Sequence, residues 1–246
     1  MLALMKGRYT ARLAEGPEDG ARAAALRYQC FVAARGLGDD PAGQDHDAYD
    51  ASCLQMLVEE AGSGALACTY RLMPLASGAD AYRSYAAQFY DLAGLSVTAD
   101  PMMELGRFCV APDRPMDADL LRVAWGAMAR LVDVHGVQML FGCSSFDGAD
   151  AGLHHDALAA LGRHVGPDGL RPARKGDVVA LPHGAFDARR AVAQTPALLR
   201  SYLAMGGWVS DHAVQDHALN TLHVFTALPI ASIPAARARA LRAVAV

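Results

Sequence analysis

The chain predicts a single α/β domain, a mixed twisted sheet flanked by helices. Strand-like and helix-like apolar patterns alternate along its length, as they must when helices cover the faces of a sheet. Residues 137–146 are almost all apolar, the mark of a strand buried on both faces. With 53% hydrophobic and 20% charged residues in 246, the chain can bury a substantial core and is not disordered. The domain is expected over 1–246, with its core at about 8–185 and a C-terminal extension at about 186–246.

Residues 8–14 alternate weakly and predict a first strand. From 20 to 34 the pattern is helical, with Arg27 and Phe31 four apart on one face, and Gly36 and Gly38 end it. An Asp-rich loop follows from 39 to 50. Residues 54–59 and 65–73 read as a hairpin about Gly62-Ser63-Gly64, with Arg71 on the second strand. A helix is expected over 82–92, then a strand over 102–110. Asp117 or Asp119 caps a helix reaching about 135. After the apolar strand, a helix is expected over 149–161, a strand over 178–181, a helix over 194–205, a strand over 222–228 and a closing helix over 234–244.

Composition excludes several function classes. A net charge of -4 leaves no nucleic-acid footprint. Cys30, Cys53, Cys68, Cys109 and Cys143 lie in apolar segments without ligand spacing, so they read as reduced core residues of a cytoplasmic protein. The first residues are too short and mispolarised for a signal peptide. No apolar run approaches the ~20 residues a membrane span needs. The acidic loop fails as a calcium site: Ala48 and Tyr49 stand where ligands or Gly are wanted, and Met56 occupies the closing position. No metal ligands are expected elsewhere.

The chemistry concentrates in Met103-Glu104-Leu105-Gly106-Arg107-Phe108-Cys109-Val110. A carboxylate and a guanidinium in a buried strand are costly unless paired or used. Residues three apart in a regular strand point to opposite faces, so sharing a site requires an irregularity between Glu104 and Phe108, for which Gly106 is the natural place.

This strand, followed by a turn, a long helix and a buried strand, resembles the core of the GNAT acyltransferase superfamily. Arg27, Phe31, Asp47, Asp50, Arg71, Glu104 and Arg107 resemble the scattered set of the acyl-homoserine-lactone synthases. Their tryptophan after the first helix has no match here, where Leu37 stands nearby. The resemblance to the ornithine N-acyltransferases of ornithine-lipid synthesis runs nearly end to end. It includes Phe89-Tyr90-Asp91-Leu92, the Glu104–Val110 stretch, Gly142-Cys143-Ser144-Ser145-Phe146 with Gly148 and His154, and Ser201-Tyr202-Leu203-Ala204-Met205-Gly206-Gly207 before Asp211, Asp216, Asn220 and Thr221.

That resemblance implies transfer of a (3-hydroxy)acyl group from acyl carrier protein to the α-amino group of ornithine, giving a lyso-ornithine lipid. Lactone synthesis and a non-catalytic acyl-carrier or lipid-binding role are the alternatives. Glu104 is the candidate base, with Arg107 beside it. Backbone amides near Phe108 and Val110 are the candidate holders of the thioester oxygen. Arg27, Phe31, Asp47, Asp50, Arg71, Ser144 and Ser145 are candidate substrate contacts. For the acids, binding the cationic amino acid and ordinary loop solvation are equal alternatives; for Arg27 and Arg71, mere neutralisation of those acids is an equal alternative. Asp211, Asp216 and Asn220 read as turn and cap residues.

The turn at 111–119 has no glycine and two prolines, and Asp117 and Asp119 repel a pyrophosphate. It therefore favours acyl-phosphopantetheine delivered on acyl carrier protein over coenzyme A, with no resident cofactor. Arg114, then Arg174 and Lys175, are expected to dock that acidic carrier. The cationic closing helix allows weak peripheral contact with anionic membrane, at the inner face of the cell membrane.

Overall fold

The computed structural model describes residues 3–114 and 118–244. In chain order the strands and helices are β1 (Ala3–Lys6), β2 (Tyr9–Leu13), α1 (Pro17–Phe31), β3 (Leu54–Glu60), β4 (Leu66–Leu75), β5 (Tyr90–Asp91), β6 (Met102–Val110), α2 (Ala118–Val134), β7 (Met139–Asp147) and α3 (His155–Leu161). Then come β8 (Ala173–Arg174), β9 (Val178–Ala180), α4 (Ala188–Gln194), α5 (Ala197–Leu203), β10 (Trp208–Asp216), β11 (Thr221–Pro229) and α6 (Ala235–Val244). The class is the mixed α/β arrangement that the sequence predicts. The residues cluster into two compact units: 1–74 with 105–137 and 235–246, and 75–104 with 138–234.

In the first unit, β1 to β4 form an antiparallel meander, and the later half of β6 lies beside β4. The helix α2 buries Leu120, Val123, Ala124, Ala127, Met128 and Leu131, the spacing of one helical face. Tyr70 on β4 donates from its hydroxyl to the Ala124 carbonyl at 2.7 Å. On α6, Ala238 and Leu241 are half-buried and Val244 is buried, a three-residue spacing on one face. Val244 packs at Gly126, where a Cβ would lie 2.9 Å from its Cγ1.

In the second unit, the start of β6 pairs in parallel with β7, from Met102↔Met139 to Glu104↔Phe141. Strand β7 pairs along its whole length with β11, then β10 and β9 follow, all antiparallel. The core on one face joins Phe146, Leu158, Leu161, Leu199, Val209, Leu222 and Val224. A two-stranded ladder of β5 and β8 stands apart.

Several elements differ from expectation. The helix expected over 82–92 is a pair of 3-10 turns, Gly78–Arg83 and Tyr85–Gln88, followed by β5. Residues 149–161 divide into a 3-10 turn and α3. The helix expected over 194–205 is α5, which starts only at Ala197 because Pro196, without an N–H, sits as its N-cap; α4, over Ala188–Gln194, was not expected. Strand β10 was not expected, and it contains Asp211. Asp216 closes that strand and accepts from the Leu219 amide at 3.0 Å, so it is the turn residue anticipated. Strand β1 was also unforeseen. Asp117 lies outside the described residues.

Candidate active site

The first unit brings together every polar residue expected around the acidic loop. Arg27 is 1% exposed and donates to both oxygens of Asp50, at 2.7 and 2.8 Å, and also to the Asp45 carbonyl. Arg71 forks onto both oxygens of Asp47 at 2.6 and 2.7 Å and reaches Asp50 at 3.0 Å. Arg107 donates from Nε to Asp45 at 3.0 Å, with Asp47 3.6 Å from its Nη2. Its guanidinium lies 5.6 Å from the centre of the Phe31 ring, a cation–π arrangement. Burial raises the pKa of Asp47 and Asp50, but Arg71 and Arg27 outweigh it and hold both carboxyls below the usual range. Each of the three acids thus meets guanidinium, so mutual neutralisation describes the geometry.

The expected irregularity in β6 falls at Arg107, whose φ is 53, in the left-handed region that L side chains avoid. Gly106, the place named for it, does not have a positive φ, and a Cβ there would meet only the Arg71 side chain, at ordinary contact distance. Phe108 stacks on Tyr70, with ring centres 5.4 Å apart and planes 15° apart. The Val110 carbonyl accepts from the Cys30 thiol at 3.3 Å. Arg114 is half-buried and bonded to Glu60 at 2.8 Å.

In the second unit, Glu104 is 5% exposed and accepts two backbone hydrogen bonds, from Tyr85 N at 2.8 Å and Ala86 N at 2.7 Å. Its carboxylate satisfies the first amides of the Tyr85–Gln88 turn, where the partial positive charge of a helical start favours an anion. That turn delivers Phe89 and Tyr90 against His223 on β11. The Phe89 and His223 ring centres are 4.8 Å apart, nearly perpendicular. The Tyr90 hydroxyl lies 3.0 Å from His223 Nδ1 and 2.9 Å from the His223 carbonyl. Burial pushes the Tyr90 phenol far up, so it stays protonated, and pulls His223 down to about 4 against the opposing charge of Asp216.

Ser144 accepts from Thr226 at 2.9 Å, whereas Ser145 is exposed and lies opposite His223 in the ladder. Arg174 and Lys175 are exposed, and Lys175 Nζ donates to the Ala87 carbonyl at 2.6 Å. His212 is fully buried and its Nδ1 is 2.7 Å from Asp211. Among the described residues, no group of three or more His, Cys, Asp or Glu side chains is placed to hold a metal. Sequence reasoning missed His212, His223 and the role of Tyr90. A histidine inside the apolar run Leu222-His223-Val224-Phe225 was the available signal.

Residues 26–125 match the model of an acetyltransferase (GNAT) domain. The L-ornithine N(alpha)-acyltransferase of Rhodobacter capsulatus is 33% identical over 230 residues, covering 88% of this chain and 88% of that protein. The protein of the same name from Agrobacterium fabrum is 30% identical, covering 92% and 83%. The crystal structure of TofI in a ternary complex with an inhibitor and MTA superposes with a TM-score of 0.54 at 14% identity, over 97% of this chain and 100% of that one, which shows a shared fold. At such identity along nearly the full length of both relatives, the chain belongs to the L-ornithine N(alpha)-acyltransferase family of GNAT-type acyltransferases.

Proposed function

We propose that the protein acylates the α-amino group of ornithine, taking a (3-hydroxy)acyl group from acyl carrier protein to give a lyso-ornithine lipid. The observation that carries the reading is the 33% identity to a protein named for that acceptor, spread over 88% of both chains.

The chemistry needs an amine without its proton, a polarised thioester carbonyl and a thiolate that can leave. The amine nitrogen bonds to the carbonyl carbon, the carbon–sulfur bond breaks, and the surplus amine proton passes to a base. An α-amino group titrates near ~8, so a carboxylate acting directly or through water suffices. Glu104 is that base in this proposal: an ionised carboxylate is an acceptor, and the Tyr85 and Ala86 amides fix its position. Further along β6, the amides of Phe108 to Val110 hold the developing oxyanion. Arg107 acts through the backbone, its left-handed residue re-aiming the strand just before them. Arg27, Phe31, Asp47, Asp50 and Arg71 shape the substrate side as a prebuilt neutral network.

Carrier protein rather than coenzyme A is supported by the sequence of the turn after β6, which has no glycine and two prolines that remove amide donors a pyrophosphate would use. Arg174 and Lys175 are the exposed cations for docking, with Arg114 engaged by Glu60. Expression in a host without ornithine lipid, followed by mass spectrometry of total lipid, tests the function. Acyl-ornithine supports it; an acylated lactone, or no new product from a folded protein, refutes it. Rates with matched acyl carrier protein and acyl coenzyme A thioesters at low salt test the donor, and equal use of the two would remove the argument from the turn.

A further inference from the structure

His223 is 2% exposed, yet its Nε2 has no hydrogen-bond partner among the described residues. The other ring nitrogen faces Tyr90, whose single hydroxyl proton is shared between His223 Nδ1 and the His223 carbonyl. If the hydroxyl donates to the carbonyl, Nδ1 carries a proton and Nε2 is a bare acceptor. If it donates to Nδ1, Nε2 carries the proton instead. An unpartnered buried polar atom is costly in either tautomer. A hydroxyl group both donates and accepts, so it satisfies both.

The surroundings restrict what else the ligand contains. Phe89 and Tyr90 flank the ring, at 4.8 and 5.5 Å between centres. Phe225, two residues along the same face of β11, stacks on Phe141 at 5.6 Å and lies 5.8 Å from Trp208. A carboxylate is disfavoured in such a wall, whereas an alkyl chain is welcome. The opposite face, with Leu222 and Val224, is filled by the core.

One side of this face is accessible. The parallel register of β7 with β6 ends at Phe141, while β7 runs on to Asp147. On that stretch Cys143 is half-buried and Ser145 exposed, and they pair with Phe225 and His223.

We propose that His223 is a specificity-determining residue: its Nε2 hydrogen-bonds a hydroxyl carried on the acyl chain of the donor and so selects hydroxylated over unsubstituted chains. This rests on the acyltransferase reading above. The ring, neutral at assay pH, is a poor acceptor for an ammonium proton and a good partner for a neutral hydroxyl.

The test supplies ornithine with a 3-hydroxyacyl or an unsubstituted acyl thioester of acyl carrier protein, matched in length, and compares kcat/KM. The wild type favours the hydroxylated donor by about tenfold or more, the worth of one buried hydrogen bond. His223→Phe removes that preference by lowering kcat/KM for the hydroxylated donor alone, and Tyr90 keeps the main-chain carbonyl as its acceptor. Because the ratio is internal to each preparation, loss of folded enzyme cancels. His223→Gln, whose amide donates and accepts, restores part of the preference. A wild type indifferent to the hydroxyl, a preference surviving in His223→Phe, or equal loss with both donors (as for a residue that only seats a buried water) overturns the proposal. Folded wild type that acylates ornithine from neither donor overturns the functional reading itself, and this inference with it.

Discussion

Glu104 holds two backbone amides at once, and this changes what its replacement would do. A glutamine retains one acceptor oxygen but turns an NH2 group toward the second amide, so Glu104→Gln removes a base and also breaks a cap. It is expected to lose about 10²–10⁴-fold in turnover and about 1–3 kcal/mol in stability. Near-normal kcat at saturating substrate with a lowered Tm would leave the cap and eliminate the base. His223 gives a pH signature. Its folded pKa of about 4 lies below its ordinary 6.5, so between these values the unfolded chain binds a proton that the folded chain does not. Stability from this group is complete above pH 6.5 and falls as the pH drops toward 4, by up to about 3 kcal/mol. The carboxylates Asp19, Asp47 and Asp50, with lowered pKa values, act only below about 3.8, outside that window. Denaturant titrations at pH 7 and pH 5 should show a smaller drop in His223→Phe than in the wild type; equal drops would mean the imidazole is solvated.

At the scale of the element, β6 depends on one residue in an unfavourable conformation. Arg107→Ala and Arg107→Gly both delete the contacts to Asp45 and Asp47, but only glycine adopts a φ of 53 without steric penalty. The glycine variant is therefore expected to be more stable than the alanine variant by about 1 kcal/mol, measured by chemical denaturation. An alanine variant equal to or better than glycine would show that the strand straightens once the guanidinium is gone. The bounds of β6 were legible from local pattern because its apolar run ends in Ala111-Pro112. The 82–92 segment was not, because what fixes Tyr85–Gln88 is the Glu104 carboxylate, nearly twenty residues away in sequence. Strand β10 escaped for a related reason: Ser210 and His212 are fully buried polar residues, made tolerable by Ser210 bonding the His212 carbonyl and the Phe225 amide. The Arg–Asp network was legible as residues but not as pairings, since Arg27, Arg71 and Arg107 are brought to the loop by three different elements.

For the whole molecule, the open question is how an enzyme making an amphiphile meets a membrane. None of the described helices is long and apolar enough to cross one. The net charge of -4 repels an anionic surface in bulk, so attraction has to be local. The closing helix α6 was expected to be the cationic contact, but its Arg242 is bonded to Asp133 at 2.7 and 2.9 Å and its Val244 is buried against Gly126. Arg242 is exposed but neutralised by Asp133, and Arg237 and Arg239 are the other exposed cations of the helix. Basic side chains near an anionic surface contribute about 1 kcal/mol each, and the field falls off within ~10 Å at 0.1 M salt. With an alanine-rich helix offering little apolar area, two such charges give only weak, reversible attachment. Sedimentation with phosphatidylserine-containing vesicles should therefore carry down a minor fraction at low ionic strength and none at 1 M salt, and replacing both Arg237 and Arg239 with Ala should abolish it. Attachment that persists in molar salt would require a buried apolar anchor that α6 does not offer, and none at low salt would leave product release to diffusion or to a carrier.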